Sequence, residues 1–188
     1  MLTAPLAPTL IVMPWHDPVV EAVGYDARSS YVELFWLGIL GPTSTWLLRR
    51  LVTGLDAFPE GYELDLEETA NALGLSLTAG IHSPFGKALN RCIMFGVAHV
   101  SGRGIAVRRL IPPLSLRQLR KLPPHLQEAH ADWVDRRRVD DERLVRAMEL
   151  ANAMIRVGDE PHQLERQLLS IGIPPREATH VARQFAAA

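Results

Sequence analysis

The run from Ser83 to Arg109 constrains this chain more than any other. Ser83-Pro84 joins a helix N-cap to a proline at the first helical position, where the missing N–H costs nothing. Phe85, Ala88, Leu89, Cys92 and Phe95 then recur at helical spacing, and Gly96 ends the pattern, which predicts a helix over 84–95. Lys87, Asn90, Arg91 and Met94 keep the same spacing on the opposite side. One face packs; the other carries two cations and an amide. Two short β-prone runs follow, Val97–Val100 and Ile105–Arg109, around Ser101-Gly102-Arg103-Gly104. Two glycines permit the positive φ angles of a tight hairpin, with Arg103 at its tip and Arg108 and Arg109 closing the return strand.

The segments before this run supply core. Residues 1–28 form an N-terminal arm in which the apolar run Thr9–Met13 makes a short strand or covers a core edge. Asp17-Pro18 starts a short helix. Tyr31–Leu40 is apolar nearly all round, the mark of a helix buried in a core or an interface. Gly41-Pro42 separates it from a helix over 43–54, whose stripe is Trp46, Leu47, Leu51 and Val52. Tyr62–Leu66 alternates apolar and acidic residues like a half-buried strand. Asp65 and Glu68 have capping-box spacing for a helix ending at Gly74, with Leu66, Ala70 and Leu73 inward. The connection Leu75–His82 is longer than the three or four residues usual in a turn between two packed helices. Either it is an insertion, or 83–109 acts alone.

Downstream, Ser115 and Gln118 open another capped helix with Leu116, Leu119 and Leu122 inward. A further helix carries Leu126, Ala129, His130 and Trp133, and the polar run 136–141 reads as a hinge. The tail reads as three helices, with seams through Leu144, Met148, Ala151 and Ile155, then Leu164, Leu168 and Ile171, then Ala178, Val181, Ala182 and Phe185. The expected domains are an arm (1–28), a central domain (29–114), linking helices (115–138) and a C-terminal helical unit (139–188) suited to dimerisation.

Charge is distributed unevenly. The formal net charge is −1, yet residues 82–138 hold 11 Lys and Arg against 3 Asp and Glu, whereas residues 1–81 hold 3 against 10. A nearly neutral chain with a concentrated basic middle points to one polyanion-binding face.

From Asp65 to Ile111 the order of elements and the divided second helix resemble a winged helix-turn-helix domain. The phrases YVELFWLGILGPTSTWLLRRL and RRLIPPLSLRQLRKLPPHLQ are similar to sequences of high-GC Gram-positive bacteria. The resemblance implies a mostly α fold with a small β-hairpin wing and added C-terminal helices. It also implies binding of double-stranded DNA, with helix 84–95 in the major groove and the 97–109 hairpin as wing. Asn90 and Arg91 are then the candidates for reading base edges, and Lys87 for a base or a phosphate. Arg103 would enter the minor groove. Ser83, Arg108 and Arg109 would hold the backbone. A cytoplasmic, nucleoid-associated homodimer acting in transcription or chromosome organisation is expected; a winged helix used only for docking proteins is the alternative.

Enzyme readings have less support. The seven histidines show no HExxH, HxH or Cys/His cluster, and no GxGxxG, P-loop or GxSxG occurs. Neither a metal nor a cofactor is expected. The single cysteine, Cys92, excludes an intramolecular disulfide and falls on the buried helix face. The apolar start is too short and too proline-rich to span a bilayer.

Overall fold

The computed structural model of the protein describes residues 7–102 and 104–186. The fold is mostly α with a small sheet. In chain order, strand β1 (Thr9–Pro14) is followed by helix α1 (Pro18–Val23) and strand β2 (Tyr25–Asp26). Helix α2 combines a π-helical turn, Val32–Trp36, with an α turn, Leu37–Leu40. Next come α3 (Pro42–Ala57), β3 (Tyr62–Asp65), α4 (Leu66–Ala72), α5 (Pro84–Met94), β4 (Ala98–Ser101), β5 (Gly104–Val107) and β6 (Leu110–Ile111). The remaining helices are α6 (Leu116–Leu119), α7 (Pro124–Arg156), α8 (Leu164–Ser170) and α9 (Pro175–Ala186). Two compact units result, Met1–Gln127 and Glu128–Ala188.

In the first unit, α3 fills the centre: Leu47, Leu48, Leu51, Val52 and Leu55 are wholly buried. So are Phe35 and Leu40 of α2, Phe85, Leu89 and Cys92 of α5, and Val12 and Ile105 of the sheet. Trp36 is buried too and donates its indole N–H to the Pro112 carbonyl at 3.0 Å, so its one polar atom has a partner. Tyr62 reaches back to α3, donating its hydroxyl to the Leu51 carbonyl at 3.0 Å; burial pushes its phenol up to about 12.

The four-stranded sheet runs β3-β1-β5-β4. Residues 9–14, read above as part of an arm, are therefore an interior strand, antiparallel to β3 and parallel to β5. The hairpin β4–β5 closes at Ser101 and Gly104, and Gly102 takes φ +56°. Gly104 has no positive φ. Its role is proximity: a Cβ there would lie 2.2 Å from the Ile11 carbonyl oxygen, so only glycine lets β1 pair at that register.

Helix α4 starts at the expected cap, Asp65, whose carboxylate accepts the Glu68 N–H at 2.7 Å, and Gly74 at φ +66° follows its end. The long connection after it carries a 3-10 turn, Gly80–His82, laid against the start of α5. A Cβ on Gly86 would lie 2.4 Å from the Gly80 carbonyl oxygen. Ser115 and Gln118 form the expected capping box. Leu122 is buried as expected, but Leu116, also expected inward, is exposed, and Leu114 is buried before the helix starts.

The expected hinge at 136–141 is absent, and α7 runs unbroken through it. No glycine or proline lies inside the helix after Pro124. Arg137 and Arg143 stand one turn from Asp141 and Asp140, each 3.9 Å apart, which suits a helical surface. The second unit packs Ala147 and Ala151 of α7 against Leu164 and Leu168 of α8 and Ala178 and Val181 of α9. Leu144, Met148, Ile155, Ala182 and Phe185 surround that core, as their spacing suggests, whereas Ile171, expected on the second seam, is exposed just past the end of α8.

Candidate nucleic-acid interface

Helix α5 has the two faces its spacing predicts. Phe85, Ala88, Leu89 and Cys92 are buried. Burial pushes the Cys92 thiol up to about 12, so it is a structural, unreactive group. On the other side Lys87 and Met94 are exposed and Asn90 is half-buried. Arg91 is also exposed, but it does structural work. Its Nη2 donates to the Ile39 carbonyl at 2.7 Å, satisfying a C-terminal carbonyl of α2, and its guanidinium carbon lies 5.1 Å from the Phe95 ring centroid.

Three other candidates are taken up inside the unit. Ser83 is buried; its hydroxyl donates to the Gly80 carbonyl at 2.5 Å and accepts the Gly86 N–H at 3.0 Å. It therefore caps α5 rather than offering itself to a phosphate. Arg108 is buried and held from three sides. Its Nη2 meets Asp17 Oδ2 at 2.8 Å, its Nε donates to the Gly96 carbonyl at 3.0 Å, and its guanidinium carbon lies 3.5 Å from the Trp15 ring centroid. Arg109 pairs with Asp56, which also pairs with Arg28. Arg28 in turn meets Asp26 at 3.0 Å. Arg103 lies outside the described residues.

The Arg108 and Arg28 pairs have an acid consequence. The Arg108 hydrogen bond, then the Val20 N–H, hold the Asp17 carboxyl below its ordinary value of 3.8. Arg28 does the same to Asp26 and Asp56. Each folded carboxylate keeps its charge at a pH where the unfolded one takes a proton. Their stabilisation is thus complete above about pH 4 and is lost as pH falls through the lowered folded values. Asp17→Asn should flatten the acid limb of a pH-stability curve followed by circular dichroism. An unchanged acid limb would show that Asp17 contributes none of this linkage.

Some features escaped sequence reasoning. Trp46, assigned to the α3 core stripe, is 60% exposed, with the Arg49 guanidinium 5.0 Å from its ring. Leu34 of α2 is exposed as well, and its neighbour Glu33 meets Arg49 at 3.5 Å. The Asp17-Pro18 helix start carries no local sign of the Arg108 cluster. Among the described residues no group of three or more His, Cys, Asp or Glu could hold a metal ion, and no helix is long and apolar enough to cross a membrane. No protein family, curated protein or solved structure matches the chain.

Proposed function

We propose that this chain binds double-stranded DNA through the outer face of α5, in a transcriptional or chromosome-associated role. One observation carries the reading: a well-capped helix exposes Lys87, Arg91 and Met94 opposite its buried face and runs directly into a hairpin. The sequence α3, β3, α4, α5, β4, β5 is the order of a winged helix-turn-helix, with β1 added between β3 and β5. Lys87 is the leading contact because Arg91, the other cation of that face, already holds the Ile39 carbonyl. Met94 would meet a thymine methyl or a sugar. A homodimer would present two such faces across a two-fold site.

Binding of a mixed-sequence duplex, followed by fluorescence anisotropy over a salt series, tests this. Lys87→Glu should weaken binding about ten-fold and lower the salt slope by about 1. A wild-type protein that fails to bind DNA at low salt sinks the proposal. The exposed Trp46 under the Arg49 guanidinium favours a second reading, docking of another protein. Trp46→Ala should leave DNA affinity unchanged if α5 is the DNA-binding face.

A further inference from the structure

Between His130 and Ala147 the long helix α7 has no buried residue, a stretch of about four turns. A helix holds in water mainly by packing one face, so a stretch this bare calls for a partner. Its own ion pairs, Arg137–Asp141 and Arg143–Asp140 at 3.9 Å, are long and largely exposed and do not replace packing. Ala131, Val134, Arg138, Asp141, Val145 and Met148 follow one another by steps of three and four, which places them in one stripe along the helix. All but Met148, at the border of the unit's core, are exposed, Val134 by 45% and Val145 by 59%. We infer that this stripe is a self-association surface, pairing antiparallel with the same stripe of a second copy of the chain about a two-fold axis level with Val139 and Asp140.

Charge complementarity sets both the partner and the direction. Read backwards, the stripe lays Val134 on Val145, Ala131 on Met148 and Arg138 on Asp141 of the second copy. Each layer then matches, apolar on apolar and cation on anion, and the two-fold repeats every layer. The exposed Glu142 lies one residue beyond Asp141 and flanks the incoming Arg138. The 3.9 Å contact of Asp141 with Arg137 uses one carboxylate oxygen, which leaves the other for that guanidinium. Parallel pairing of the same stripe would instead set Arg138 against Arg138 and Asp141 against Asp141, like charges at the centre of the interface. A charged layer between valine layers also fixes the register, since a slip by one turn sets arginine on valine. The inference gives the homodimer of the proposed function its interface and rests on that reading only for what the dimer serves.

Sedimentation velocity of the full chain, from about 1 to 100 μM and without DNA, is the test. The wild-type protein should populate a dimer as its concentration rises. Arg138→Glu sets like charges across the central layers and should weaken association about ten-fold or more. Combining Arg138→Glu with Asp141→Arg restores opposite charges in the same layers and should recover most of the loss, which a variant that merely misfolds would not do. Oxidation of mixed Val134→Cys and Val145→Cys chains should link the two faster than either chain links to itself, as the antiparallel layer requires. Protein that stays monomeric at the highest concentration, a dimer indifferent to Arg138→Glu, no recovery in the double variant, or faster self-linkage of Val134→Cys would each overturn the inference. Any of these leaves DNA binding by α5 to its own salt titration, and failure of that titration leaves the dimer measurement standing.

Discussion

Gly104→Val is expected to destabilise the first unit by about 3 kcal/mol, near the upper range for overpacking. Besides the clash with the Ile11 carbonyl oxygen, the added Cβ would stand 2.9 Å from the Ile11 Cβ. The contact is with a neighbouring strand inside the sheet, so no flexible side-chain end can swing away. Either β1 leaves its register or β5 bends. Urea unfolding should show a lower midpoint with an unchanged slope if the folded state is merely weakened. Gly102→Ala is the control: it faces open space and meets only the strain of φ +56°, about 1 kcal/mol. Equal losses for the two variants would mean that the β1–β5 approach is not what Gly104 protects.

Arg108→Ala is expected to cost a similar amount, about 3 kcal/mol, by removing a buried guanidinium with its hydrogen bond to the Gly96 carbonyl, its pair with the half-buried Asp17 and its packing on Trp15. Arg108→Lys should recover only part of this, because an ammonium cannot at once fork between Gly96 and Asp17 and lie flat on an indole. DNA affinity per folded molecule should change little in either variant. A phosphate-contacting arginine would behave oppositely, losing affinity and salt slope while stability held. Thermal unfolding and anisotropy on the same preparations separate the two outcomes.

Local signals in the sequence were reliable where the structure is local. Ser83-Pro84 and Gly96 bound α5, Asp65 caps α4, and Ser115 with Gln118 caps α6, because caps and stops act within a few residues. The hairpin register followed from its short loop. Misreadings arose where a distant partner decides. Nothing near Arg108 announces Asp17 and Trp15, and nothing near Arg91 announces the Ile39 carbonyl, so both looked like free cations. Thr9–Met13 reads the same as a covering arm or as an interior strand; β3 and β5 settle it from far along the chain. The supposed hinge failed for another reason. Dense charge reads locally as a break, although oppositely charged residues spaced by three and four support a helix.

The interior position of β1 also governs the order in which the molecule can assemble. Ile11 pairs with Gly104, so β1, made before β5, finds its parallel neighbour only after α5 and the hairpin's first strand have been made. Closing so long a loop lies late on the path and slows folding. Until then β5 presents an unpaired edge, an invitation to pair with another chain. A nascent or refolding population should therefore pass through a state with α3 and α5 packed and half the sheet open. In that state Ile11 to Pro14 acts as a latch, and the window for mispairing closes only when it engages.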